Sequence, residues 1–198
     1  TRLTCPHCEA EIPEESLRAH AKGADELAPG FKAGQRLGNY VVESLLGSGG
    51  MAVVLGGRQL SLNRNVAIKI LPKKLAKNKI FVARFESEAA VLASLNHPNI
   101  VSVIDRGREG DTYFIVMEYV EGETLKTRLR RQGVFSPAQV LPLAVQVLTG
   151  LEYAHRRGVV HRDIKPGNIM INREEMVKIA DFGLAHLAKA QGGLDVTR

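Results

Sequence analysis

The sequence has only two cysteines, Cys5 and Cys8, and a single C-x-x-C pair cannot supply a disulfide framework. Such sparse cysteine use implies a reducing compartment, so a cytoplasmic location is expected. There is no run of 18 or more apolar residues, so no segment of this chain is expected to span a membrane. No basic-then-apolar signal segment follows Thr1. Internal repeats and low-complexity tracts are also missing. What is present is an ordinary globular composition, 44% hydrophobic and 24% charged over 198 residues, enough for one large domain or two small ones. The chain opens without Met and reads as cut at both ends, which leaves room for a membrane anchor outside these residues.

The formal charge of +6 is unevenly spread. Residues 1–30 hold three basic and six acidic side chains, and the rest hold 24 and 15. A basic body suits a polyanion, whether nucleotide or nucleic acid, and equally suits a soluble surface with no particular partner.

Residues 1–22 read as a small unit with the cysteine pair and a short helix-like run from Pro13 to His20. Gly23, Pro29, Gly30 and Gly34 mark residues 23–36 as a linker. The remainder, 37–198, reads as the main domain. Strands are expected at Tyr40–Leu46, Ala52–Leu55, Asn65–Leu71, Ile100–Ile104 and Thr112–Val116. The spacing of Phe81, Phe85, Leu92 and Leu95 predicts a helix over Ile80–Leu95, stopped by Asn96-His97-Pro98. Ser136-Pro137 opens a second helix, with Pro142 expected to disturb its first turns. Two short strands follow at Ile169–Ile171 and Val177–Ile179.

Against that frame, four segments carry chemistry. Gly47-Ser48-Gly49-Gly50 sits between two strands, where glycines let backbone N–H groups approach phosphate oxygens, although Gly-rich hairpin turns are common. Lys69 sits in an otherwise apolar strand, and Glu88 lies on the apolar stripe of the next helix. A carboxylate on a packing face is costly unless paired, so a Lys69–Glu88 ion pair would satisfy both; the plainer reading sends each side chain to water. In the loop from His161 to Asn168, Asp163, Lys165 and Asn168 can converge from one tight turn: an acid for a hydroxyl proton, a cation for a phosphate, an amide for a metal. Asp181-Phe182-Gly183 adds a carboxylate suited to Mg²⁺, a hard cation that takes oxygen ligands.

In this order the segments resemble the signature set of the protein kinases, most closely bacterial Ser/Thr kinases of the eukaryotic-like type. The resemblance covers residues 37–198 and implies an α+β, two-lobed fold: an antiparallel-sheet N-lobe with one helix and a helical C-lobe. It implies transfer of the ATP γ-phosphate to a protein Ser or Thr hydroxyl, with ATP and Mg²⁺ and without nucleic acid. Gly47 and Gly49 would cover the phosphates. Lys69 would hold the α/β-phosphates, oriented by Glu88. Asp163 would take the hydroxyl proton and Lys165 would neutralise the γ-phosphate, while Asn168 and Asp181 would ligate Mg²⁺. Val54, Ala67 and Met170 would sandwich adenine, with Met117 as gatekeeper and Glu118–Val120 as hinge. Ala52 stands where the family has a third loop glycine. The resemblance also implies that the chain stops within the activation segment, with no Ala-Pro-Glu motif. A fragment inactive by itself is therefore expected, with apolar surface exposed on the 139–155 helix.

Three rival readings keep their place. An ATP-binding pseudokinase scaffold is opposed by the intact Lys69, Asp163, Asn168 and Asp181. A small-molecule phosphotransferase is opposed by Lys165 and the Asp-Phe-Gly triplet. A zinc-dependent binding module would use Cys5, Cys8 and His20 as Zn²⁺ ligands, but the usual fourth ligand at finger spacing is absent, and a reduced, metal-free pair explains the same residues.

Overall fold

The computed structural model describes residues 26–48 and 52–182, without the side chains of Arg84 and Glu88. Cys5, Cys8 and His20, together with Gly49 and everything after Phe182, lie outside the described residues.

The upper lobe is built on one antiparallel sheet. Its strands are β3 (Arg36–Leu37), β4 (Tyr40–Ser48), β5 (Val53–Gln59), β6 (Arg64–Ile70), β7 (Val103–Glu109) and β8 (Thr112–Glu118), in the order β3-β4-β5-β6-β8-β7. β6 is central and buried on both faces from Val66 to Ile70. Its side chains alternate between two packed faces, and Lys69 is buried with its neighbours. The close approach of β4 and β5 needs glycine: a Cβ on Gly57 would sit 2.5 Å from the carbonyl oxygen of Val41. β5 therefore runs on through Gly56 and Gly57, past the expected end at Leu55.

Residues 26–37 are not a bare linker. They form β1 (Glu26–Ala28), β2 (Phe31–Lys32) and β3, and bury Ala28, Phe31 and Leu37 against Tyr40, Val42 and Leu55. Two of the glycines that suggested a linker, Gly30 and Gly34, lie at turns between these strands and have positive φ, as does Gly38 between β3 and β4. β7 also starts later than expected. Ile100, read as its first residue, is buried instead in the lower core, where it bridges Ile179 in parallel.

A short helix α1 (Lys73–Ala76) precedes α2 (Lys79–Ala93), which Asn78 caps by accepting from the Ile80 N–H at 2.9 Å. α2 packs Phe85 and Ala89 against Leu71 and Ile115.

In the lower lobe, β9 (Gly122–Thr124), β10 (Ile169–Asn172) and β11 (Val177–Ile179) form a small sheet of order β11-β10-β9. α3 (Leu125–Gln132) follows β9 directly, capped by Thr124 Oγ1 on the Thr127 N–H. α4 (Pro137–His155) is continuous through Pro142 and lies so close to β11 that a Cβ on its Gly150 would touch Ile179 Cδ1 at 3.0 Å. Leu143 and Ala154 of α4 join Ile169, Ile171, Val177 and Ile179 in the lower core. The opposite face of α4 leaves Leu141 and Leu148 63% and 64% exposed, as the sequence led us to expect. Among the described residues no helix is long and apolar enough to cross a membrane.

Candidate active site

The two lobes meet at an ion pair. Lys69 Nζ donates to Asp181 Oδ1 at 2.6 Å, joining residues 112 apart in sequence. The lysine side chain is only 6% exposed, and a buried ammonium needs such a partner. Asp181 holds its carboxylate there from a backbone at φ +59°, a left-handed conformation uncommon for non-glycine residues and concentrated at functional sites. The expected partner, Glu88, has its backbone on α2, and its side chain lies outside the described residues.

Across the sheet, register brings the other upper-lobe residues into line. Gly47 pairs with Val54, and Val54 with Lys69. Ala67 pairs with Met117. Met117 then joins Lys69, Leu92, Ile115, Asp181 and Phe182 around a cavity of about 20 Å³, room for a single water. Glu118 is committed through its side chain: Oε1 accepts from the Ser102 N–H at 2.7 Å and from Lys178 Nζ at 2.8 Å. Its N–H is also spent, donating to the Ser102 carbonyl at 3.0 Å. Val120 is buried, and Met170 lies on β10 opposite Lys178.

Below the ion pair, the chain turns sharply at Arg162, at φ +65°. Asp163 is then held on several sides. Lys165 Nζ donates to its Oδ2 at 2.6 Å, and Asn168 Nδ2 donates to the same oxygen at 3.1 Å and to the Asp163 carbonyl at 2.9 Å. The Lys165 hydrogen bond, with help from Asn168, holds the Asp163 carboxyl below the usual carboxylate range. Because Asn168 spends its amide nitrogen on Asp163, its Oδ1 has no partner among the described residues, although the residue is buried.

His161 ties this loop to the Asp181 segment. Its Nδ1 accepts the Asp163 N–H at 3.2 Å, which leaves the proton on Nε2, 2.9 Å from the Ala180 carbonyl oxygen. The ring packs on Phe182 with centroids 4.5 Å apart. Burial pushes its pKa down, in keeping with a neutral ring making both bonds. The sequence reading gave His161 no role, nor Lys178. A histidine inside a polar loop carries no periodic signal, and its partners lie on another segment.

Residues 40–197 match the protein kinase domain family. The chain belongs to that family. It is 45% identical over 153 residues to the serine/threonine-protein kinase PrkC of Bacillus subtilis, covering 77% of this chain and 24% of that protein. Identity to serine/threonine-protein kinase PknB of Mycobacterium tuberculosis is 41% over 163 residues, 80% of this chain and 26% of that one. The chain thus spans about a quarter of the length of these curated relatives. Among solved structures, the M. tuberculosis PknI kinase domain superposes with a TM-score of 0.70 at 30% identity, over 83% of this chain and 69% of that one. Rad53 in complex with AMP-PNP gives 0.66 at 31%, over 74% and 38%. The two-lobed α+β kinase fold expected from the motifs is the fold observed.

Protein kinases use ATP and Mg²⁺. Among the described residues no cluster of three or more His, Cys, Asp or Glu side chains could hold a metal by itself. Mg²⁺ commonly takes one or two protein carboxylates and completes its shell with water and substrate phosphates. The unpartnered Oδ1 of Asn168 and the second carboxylate oxygen of Asp181 are oxygen donors of the kind it needs.

Proposed function

We propose that the protein transfers the γ-phosphate of ATP to a Ser or Thr hydroxyl of a protein substrate. Gly47 and Val54 cover the nucleotide from above, and Lys69 holds its α/β-phosphates. Ala67, Val54 and Met170 enclose the adenine, with Met117 at its back. The Glu118 and Val120 main chains meet its polar edge. Asn168 Oδ1 and Asp181 hold Mg²⁺. When bound, the cation neutralises charge on the β- and γ-phosphates. Asp163 turns the acceptor hydroxyl toward the phosphorus and takes its proton at the carboxylate. Lys165, beside it, stabilises the transferring phosphoryl group. Little covalent chemistry falls to the protein, so positioning and fixed charge supply most of the rate.

The observation that carries this reading is the Asp163, Lys165 and Asn168 cluster, hung through His161 on the segment that bears Asp181. An acid alone would be unremarkable. An acid held ionised by a lysine, beside an amide oxygen with no partner among the described residues, suits phosphoryl transfer. The intact proteins PrkC and PknB, named as serine/threonine-protein kinases, support the choice of acceptor. Asp163→Asn in the full-length protein tests it. Phosphate incorporation should fall by roughly 10²–10⁴-fold, while the thermal shift given by ATP with Mg²⁺ persists. Incorporation near the wild-type rate would refute the assignment.

A further inference from the structure

The Lys69–Asp181 contact places a fixed positive charge on the carboxylate that a divalent cation would need. Lys69 Nζ is 2.6 Å from Asp181 Oδ1, and the ammonium is buried where water screens it poorly. The pair crosses between the lobes, with the Lys69 side chain 6% exposed and that of Asp181 40% exposed toward the cleft. An anion reaching the cleft is the means of drawing it off Asp181.

We propose that Lys69 competes with the divalent cation for Asp181, so that the metal gains full access to that carboxylate only when nucleotide phosphates take over the lysine. This rests on the kinase reading above. It gives Lys69 a second task besides holding phosphates: it keeps the free enzyme from binding metal at the wrong moment. Nucleotide and metal then bind with positive coupling, because each relieves a contact that opposes the other. The geometry makes the coupling local, confined to one ammonium and one carboxylate.

The test uses the whole chain and Mn²⁺ alone, followed by electron paramagnetic resonance without nucleotide. Lys69→Met, which removes the competing charge, is expected to bind Mn²⁺ about tenfold more tightly than wild type. Lys69→Arg, which keeps the charge, should stay near wild type. Adding Asp181→Asn to Lys69→Met should abolish the gain. Lys69→Gln provides the same comparison with a polar side chain if the methionine variant does not fold. Equal or weaker Mn²⁺ binding by the neutral variants, including no binding by any protein, overturns the proposal, as does a gain that survives Asp181→Asn. Failure of the kinase reading shows separately, as absence of phosphate incorporation from ATP by the full-length wild-type protein.

Discussion

Lys178 donates to both carboxylate oxygens of Glu118, at 2.8 and 3.0 Å. Glu118 closes β8, and Lys178 lies on β11, the strand that leads to Asp181. Glu118 also exchanges main-chain contact with Ser102, its N–H donating to the Ser102 carbonyl at 3.0 Å. One carboxylate therefore joins the end of the upper sheet to the strand that leads to Asp181. The side chains are 16% and 27% exposed, so removing Lys178 strands a poorly hydrated carboxylate. Lys178→Met should lower stability by about 1–2 kcal/mol in urea denaturation. Adding Glu118→Gln should cost less than the sum of the two single changes. Strictly additive losses would show that the residues do not act as a pair.

On the proposed mechanism, Lys165 should set the acid side of the pH profile. Its hydrogen bond to Asp163 is the largest cause of that carboxyl's lowered pKa. The lowered value keeps Asp163 ionised, and able to accept a proton, into mildly acid solution. Lys165→Met removes the cation, so the Asp163 pKa rises and the acid limb of kcat/KM moves to higher pH. The rate at neutral pH should also fall, since the phosphoryl group loses its cation. An unmoved acid limb would mean that another group governs it.

How much of this was legible in the sequence depended on range. The Gly47 turn, Lys69, the Asp163 loop and Asp181 stood out because unusual residues interrupt apolar strands or cluster within a few positions. α2 announced itself by periodicity. β1 to β3 did not, because glycines at their turns looked like linker punctuation while only Ala28, Phe31 and Leu37 record the burial. α3 was hidden by its charges: Leu125 and Leu129 are its only apolar residues, too few for a periodic signal. The Lys69–Asp181 and Glu118–Lys178 pairs span 112 and 60 residues, and no local pattern encodes partners so distant. The sequence offered Glu88, whose side chain lies outside the described residues, as a partner for Lys69; the fold adds Asp181, which no local pattern could have named.

His161 gives stability a direction with pH. Burial lowers its folded pKa below the ordinary 6.5, and His97 is lowered in the same way, by burial and then by Lys178 and Arg157. A depressed folded pKa means that the unfolded chain takes up the proton first. The stabilisation is therefore complete above the unfolded value and is lost as pH falls below it. The thermal midpoint should drop between about pH 7 and pH 5. His161→Phe, which cannot be protonated, should be less stable at pH 7, having lost the Ala180 and Asp163 bonds, and should show a shallower decline. An equal slope in both proteins would place the pH dependence elsewhere.

Gly122 is the position where an added methyl should do most damage for its size. It opens β9 opposite Asn172 of β10. A Cβ there would lie 2.0 Å from the carbonyl oxygen of Ile171 and 2.8 Å from the Cα of Asn172, both main-chain atoms that cannot rotate away. The clash can be relieved only by parting β9 from β10, which would carry α3 with it and disturb Met170, the residue proposed to line the adenine site. Gly122→Ala should therefore cost about 2–4 kcal/mol, well above an ordinary glycine-to-alanine change. It should also weaken ATP binding measured by calorimetry. Gly110→Ala supplies the contrast: nothing lies within 4 Å of its Cβ, but its φ is +56°, so its cost is conformational, about 1 kcal/mol, and nucleotide affinity should not change. Similar effects from the two substitutions would mean that the tight β9–β10 contact is not what Gly122 protects.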